Sequence, residues 1–324
     1  MDSNINCHTL KGPQFLGINS FMHLPLTRNL ESADYAIIGV PLETLSSDRL
    51  GAKFAADEIR RISMTLRNQN LNLNINIPKE LTGVDYGDIN VKNYDLQTSL
   101  KKIEDLISEI TEKRAIPIII GGDHFLSLAK IRAMSKKYGA LSLIIFDSHL
   151  DYNDSWHEDD YAHDFLLNKI LEEKLIDVKH SVHLGLRGTI DDETNLLRII
   201  QNGMKVITTS DIRNRGIKSV CNEINSIIGD NPTFCSFDIS FIDPAFAPAS
   251  GRVSVGGFSV HETFECLRGL CCLNFVGLEV VEFVPAYDPT QRTACAAANL
   301  IHEFLAILAF KKNIVKRKAK NSCE

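Results

Sequence analysis

The residue types that could do chemistry in this 324-residue chain gather where apolar runs end. One run ends Ile120-Gly121-Gly122-Asp123-His124 and a second ends Phe146-Asp147-Ser148-His149-Leu150-Asp151. A third ends Ser236-Phe237-Asp238-Ile239-Ser240 and a fourth Leu278-Glu279-Val280-Val281-Glu282. Alternate side chains of an extended segment share a face, so Asp147, His149 and Asp151 are expected to point one way. Crowded carboxylates are costly unless a cation neutralises them. Carboxylate oxygen with imidazole nitrogen suits a divalent metal ion. His124 and Asp238, at other strand ends, complete a candidate ligand set. The Asp-x-His-x-Asp spacing is the specific element. The glycine pair by itself marks only a turn.

Rival chemistries lack their motifs. No GxGxxG follows the first apolar run, and there is no GxxxxGK[ST] loop, HExxH helix or GxSxG elbow.

Positioning these residues takes a sheet. Short β-rich runs lie at Tyr35–Val40, Gly83–Tyr86, Ile116–Ile120, Leu141–Phe146, Ser181–Leu186, Met204–Ile207, Thr233–Ile239 and Phe275–Val281. Several are apolar at nearly every position, as in strands buried on both faces of a parallel sheet. Helical patterns separate them at Phe54–Leu66, Leu96–Glu112, Leu126–Lys137, His163–Glu173, Glu193–Asn202, Asp211–Ile228 and Val260–Leu267, with a last at Thr293–Phe310. This alternation predicts one doubly wound α/β domain, a mostly parallel eight-stranded sheet flanked by helices in three αβα layers. Ligands in such folds bind beyond the carboxyl ends of the strands, where the polar clusters fall. The domain is expected over 14–310, after a short extension at 1–13 and before a basic, solvated tail at 311–324.

Composition narrows the class. The hydrophobic set is 44% and charged residues 23%, as in ordinary globular proteins. A net charge of −6 argues against charge-driven binding of nucleic acid or anionic membrane. No apolar run is expected to reach the roughly 18 residues of a spanning helix, and Met1 to Gln14 lacks a signal-peptide pattern. The eight cysteines form no CxxC pair, so reduced thiols and a cytoplasmic location are expected.

Over roughly residues 14–310 the chain resembles the ureohydrolases, the arginase and agmatinase family. The segments 121–124 and 147–151 match its Gly-Gly-Asp-His and Asp-Ala-His-x-Asp motifs, with Ser148 in place of the Ala. Residues 236–244 match Ser-Phe-Asp-x-Asp-x-x-Asp-Pro, with Ser240 in place of the second Asp. Phe21–Pro25, Gly39–Glu43 and Asp48–Phe54 look agmatinase-like. The resemblance implies an arginase-like fold and a two-manganese centre. His124 and Asp151 would hold one ion and His149 the other, with Asp147 and Asp238 bridging. A metal-activated hydroxide would attack the guanidinium carbon and release urea and an amine. Glu282 would pair with the guanidinium. His163 would pass a proton to the departing amine, with His157 a nearby competitor. Agmatine leads as substrate, ahead of related guanidino amines and acids. A homo-oligomer, trimer or hexamer, is likewise implied.

Ser240 takes the place of a metal-ligand Asp. A two-ion hydroxide centre with one Asp fewer is neutral rather than singly negative, and the second ion is expected to bind weakly. A one-ion enzyme, or a catalytically impaired relative serving as a binding or regulatory subunit, are the alternatives. A related metal-dependent deacetylase is disfavoured by the motifs. Rim departures are His23 for an Arg, Leu50 for a Pro, and Asp164-Phe165 after His163. The extra acid Asp48 would favour a cationic substrate tail if it faces the pocket.

Overall fold

Each of the eight apolar runs is a strand, and the eight share one sheet. A computed structural model describes residues 17–44, 48–92, 94–152, 166–190 and 192–321. In chain order the strands are β1 (Tyr35–Gly39), β2 (Gly83–Asp88), β3 (Ile116–Ile120), β4 (Ser142–Phe146), β5 (Val182–Leu186), β6 (Lys205–Thr208), β7 (Pro232–Asp238) and β8 (Asn274–Val281). They lie in the order β2-β1-β3-β8-β7-β4-β5-β6, with every pairing parallel rather than most of them. A short antiparallel ribbon pairs Gln69–Asn70 with Ile75–Asn76.

Two apolar clusters fill the space between sheet and helices, one on each face. Ile37, Ile118 and Ile144 belong to one, while their neighbours Ile38, Ile119 and Ile145 belong to the other. This period of two explains why the runs are apolar throughout. The covering helices are α1 (Ala55–Ser63), α2 (Leu96–Glu112), α3 (Ser127–Tyr138), α4 (Leu166–Glu172), α5 (Glu193–Gln201), α6 (Thr209–Arg215), α7 (Ile217–Ile228), α8 (Val260–Gly269) and α9 (Arg292–Asn321).

Three features differ from expectation. The helix expected over Asp211–Ile228 is two helices, because Gly216 leaves helical geometry at φ 80° and ψ 145°. The last helix does not stop at Phe310. Its basic extension docks: Lys311 donates to the Leu273 carbonyl at 2.8 Å, Lys312 pairs with Asp34, and Lys316 reaches Glu80 at 2.9 Å. The expectation of no membrane-length apolar run also fails, since Arg292–Lys316 is long and apolar enough to cross a membrane. Some 83% of its apolar window is buried inside the fold, where Leu300, Ile301, Phe304 and Leu305 pack in the core. Length and composition alone do not separate a core helix from a spanning one.

Register levels the strand ends that matter. Val280 lies opposite Ile120, Val281 opposite Asp238, and Phe146 opposite Phe237. The adjacent strands β3, β8, β7 and β4 therefore finish together at the carboxyl edge of the sheet. Beneath that edge the rings of Phe146, Phe237, Phe241 and Phe258 stack and tilt with centroids 4.9–5.8 Å apart. The backbone bearing Asp147, Asp238 and Ser240 rests on this apolar floor.

Candidate active site and metal centre

After β3 the chain reverses through Gly121 (φ 89°) and Gly122 (φ 79°), both in the left-handed region open to glycine. A Cβ on Gly122 would come within 2.8 Å of the Leu42 carbonyl and 2.5 Å of Leu126. The turn lets Asp123 accept the Thr44 N–H, and it delivers the His124 N–H to Glu282 Oε1 at 2.9 Å. Gly122→Ala is expected to cost at least about 1–3 kcal/mol from backbone strain alone. A shifted denaturant midpoint at constant slope checks this.

Four acidic and imidazole side chains meet beyond this turn. His124 Nδ1 lies 2.8 Å from Asp151 Oδ2, 3.0 Å from Asp147 Oδ2 and 3.7 Å from Asp238 Oδ2. His124 Nδ1 and Asp147 Oδ2 are buried, yet neither has an aligned hydrogen-bond partner among the described residues. Ligand atoms of His124, Asp147 and Asp238 fall within 4.8 Å of one another. Buried polar atoms are normally satisfied, so an unpartnered nitrogen facing carboxylate oxygens fits a divalent ion.

His149 sits on the other side of Asp147. Its N–H donates to Asp147 Oδ1 at 2.8 Å, and its Nδ1 lies 3.3 Å from the same oxygen. Ser240 Oγ also donates to Asp147 Oδ1, at 2.9 Å. Both local geometries differ from an extended strand. β4 ends at Phe146, and Asp151 takes φ 47°, so a turn rather than simple alternation gathers 147, 149 and 151. β7 ends at Asp238, whose Oδ1 accepts the Ser240 N–H and caps a 3₁₀ turn over Ile239–Phe241. Short Asp side chains favour such self-capping turns over continued strand. Asp243, no substitute for the missing Asp, accepts the N–H groups of Ala245, Gly256 and Gly257.

The electrostatics call for a cation. Burial, then Asp147 and Glu282, push the Asp238 carboxyl well above the usual carboxylate range. Burial and then Asp123 raise Glu282 to about 8. Burial disfavours charge on His124, but Asp147 and Asp151 outweigh it and hold its pKa well above normal. Burial likewise opposes the charge on Asp147, and His124 with His149 overcomes it, so that carboxyl stays well below its range. His124 and Asp238 thus bind protons tightly, and an entering metal ion must displace them. Metal affinity is therefore expected to fall as the pH falls. At an ion concentration 100 times Kd the fold gains about 2.7 kcal/mol. A Tm rising with Mn(II) at pH 8 and rising less at pH 6 checks both.

Sequence reasoning missed a supporting chain. His124 Nε2 lies 2.8 Å from Ser236 Oγ, which donates to Glu279 Oε1 at 2.6 Å. Lys130 donates to Glu279 Oε2 at 2.5 Å, and both side chains are fully buried. A signal existed in Glu279, the one charged residue of the apolar strand β8, which calls for a cationic partner. His183, buried on β5, engages the His149 carbonyl at 2.7 Å. Arg187 spends its guanidinium on the carbonyls of Ser240, Ser254 and Val255.

A cavity of about 260 Å³ opens onto His149 and Asp151. Asp48 lines it, together with Asp192, Arg187 and Arg252. Among the described residues three acids, Asp48, Asp151 and Asp192, and two arginines line the cavity, so it offers a partner to a cationic tail and to an anionic one. His163 and His157 lie outside the described residues.

Residues 33–306 match the Arginase family. A guanidino acid hydrolase from Homo sapiens is 33% identical over 300 residues, 91% of this chain and 85% of that protein. An agmatinase from Citrobacter koseri is 34% identical over 300 residues, 91% of this chain and 95% of its own length. The solved structure of a proclavaminate amidino hydrolase from Streptomyces clavuligerus superposes with a TM-score of 0.88 at 30% identity, covering 92% of this chain and 99% of the other.

Proposed function

This chain belongs to the arginase family, hydrolases of amidine C–N bonds, and we propose that it cleaves a guanidino compound to urea and an amine. The carrying observation is that buried His124 Nδ1 and Asp147 Oδ2, neither in an aligned hydrogen bond among the described residues, converge with Asp151 and Asp238, with Glu282 bound to the His124 backbone. In this reading His124, Asp147, Asp151 and Asp238 hold manganese. A divalent ion in such a site supplies Lewis acidity that makes water nucleophilic at neutral pH.

The chain's own groups do the rest. Glu282 Oε1 takes the His124 N–H, and its carboxylate would receive a guanidinium N–H. A planar cation beside the acidic cluster is favoured by the same field that lifts the Asp238 and Glu282 carboxyls. The His149 N–H and Ser240 hydroxyl orient Asp147. His163 carries the proton to the departing amine. The substrate tail lies in the cavity mouth, where Asp48 suits the amine of agmatine and Arg252 suits a carboxylate.

The test is urea release by the manganese-loaded protein from agmatine, arginine, guanidinobutyrate, guanidinopropionate and guanidine, beside Ser240→Asp. Release by the natural protein names the substrate. Silence from both proteins across the set, with tight ligand binding retained, favours the binding-subunit reading instead.

A further inference from the structure

We infer that the centre holds a single divalent ion, and that the Ser148–Ser240 hydroxyl pair occupies the place of a second. The inference rests on the metal-centre reading above and deepens it.

The carboxylate oxygens are sorted by direction. Asp147 Oδ2, Asp151 Oδ2 and Asp238 Oδ2 all turn toward His124 Nδ1. The opposite oxygens of Asp147 and Asp238 are already used. Asp147 Oδ1 accepts the His149 N–H at 2.8 Å and the Ser240 hydroxyl at 2.9 Å, and Asp238 Oδ1 accepts the Ser240 N–H at 2.5 Å. A second ion beside His149 would need those two Oδ1 atoms. It would compete there with three hydrogen bonds, two of which already fill both lone pairs of Asp147 Oδ1.

It would also find little in return. Of the remaining groups near His149, Ser148 Oγ lies 3.3 Å and Ser240 Oγ 3.5 Å from Nδ1, and both are neutral. A neutral hydroxyl brings no charge to a divalent ion, whereas a carboxylate does. His149 would be the one imidazole offered there, and its Nδ1 already lies 3.3 Å from Asp147 Oδ1.

The two serines depend on each other. Ser148 Oγ donates to Ser240 Oγ at 2.9 Å, and Ser240 Oγ passes its own hydrogen to Asp147. Without a hydroxyl at 148 the buried Ser240 oxygen would lack that donor. Both positions are also where this chain leaves the family's motif pattern, Ala at the first and Asp at the second. The half-buried Arg187 guanidinium, held on the Ser240 carbonyl at 2.5 Å, adds a fixed positive charge close to Asp147 and Asp238. It offsets part of the negative charge that a second ion would have neutralised.

The test loads the full chain with excess Mn(II), removes loose ions by desalting, and measures metal content with electron paramagnetic resonance. One ion per chain, with the hyperfine pattern of an isolated Mn(II), is expected. Ser240→Asp is expected to double the metal content and give an exchange-coupled pair. Ser148→Ala/Ser240→Asp, which also restores the alanine, serves if the single variant does not fold. Ser240→Ala is expected to leave the content at one ion. Two coupled ions in the natural protein would overturn the inference while leaving the hydrolase reading intact. One ion in the natural protein without urea release from any substrate would support the inference and sink the hydrolase reading. No retained ion would overturn the inference and the metal-centre reading together. A folded Ser240→Asp variant that stays at one ion would overturn the role of the serine pair.

Discussion

Glu282→Gln is expected to lower kcat/KM for the guanidino substrate by roughly 30- to 3,000-fold, the equivalent of the about 2–5 kcal/mol lost when one partner of a buried charge pair is removed. Glu282 is buried, and its φ of 62° holds the side chain in a conformation the surrounding turn must impose. Glutamine keeps the shape and can still accept the His124 N–H, so the loss reports the charge alone. The pH dependence gives an independent signature. Burial and then Asp123 raise the carboxyl to about 8 in the metal-free protein, so its anion forms as the pH rises through that value. Pairing with a guanidinium needs the anion. Guanidinium affinity of the metal-stripped protein should therefore climb by about tenfold per pH unit below 8 and level off above it. Calorimetric titration of agmatine into both proteins is the check. An identical slope in Glu282→Gln would assign the titration to another group.

Lys130→Ala is expected to destabilise the fold by about 3–5 kcal/mol, because it strands the fully buried Glu279 carboxylate without its cation. Burial alone would raise the Glu279 pKa, and Lys130 reverses this by holding it below the usual range. For a chain of this size the Tm should drop by roughly 10 °C. The ion pair also reaches the metal site, since Glu279 fixes the Ser236 hydroxyl and that hydroxyl meets His124 Nε2. A partner on the far nitrogen of a metal-ligating histidine sets which nitrogen faces the ion. Its loss typically weakens metal affinity by about 10- to 100-fold. Stability and metal affinity can be separated. Lys130→Met/Glu279→Leu should recover much of the Tm, since apolar replacement of both buried partners is tolerated, but not the Mn(II) affinity. Ser236→Ala should weaken Mn(II) binding with a smaller effect on Tm. If the double variant binds Mn(II) as tightly as the natural protein, the relay to His124 is wrong.

Much of this protein was legible because its determinants are local. Each strand is a short β-rich run, and the four runs that bear the site carry their polar clusters directly after them. The eight strands, the carboxyl-edge placement of His124, Asp147, His149, Asp151, Asp238 and Glu282, and the anomaly at Ser240 all follow from neighbours a few residues apart. Local reasoning went astray where a side chain competes with its own backbone. Asp238 caps a 3₁₀ turn, so the strand stops there rather than at Ile239, and Asp151 enters the left-handed region rather than continuing an extended segment.

Only the tertiary structure decided which strands are neighbours. β3, β8, β7 and β4 stand side by side, although the chain leaves β3 at Ile120 and reaches β8 only at Asn274. That adjacency puts His124 beside Glu282 and Asp238 beside Asp147. It also sorted the carboxylate oxygens, paired Ser148 with Ser240 across 92 positions, and joined Lys130 to Glu279 across 149. The basic end of α9 looked like a free tail because its acidic partners, Asp34 and Glu80, lie 278 and 236 residues away from Lys312 and Lys316. Side-chain type and parity are written into a short stretch of chain. Strand order, the direction of each carboxylate oxygen and the partners of a buried charge come from packing between distant segments, which no local pattern encodes.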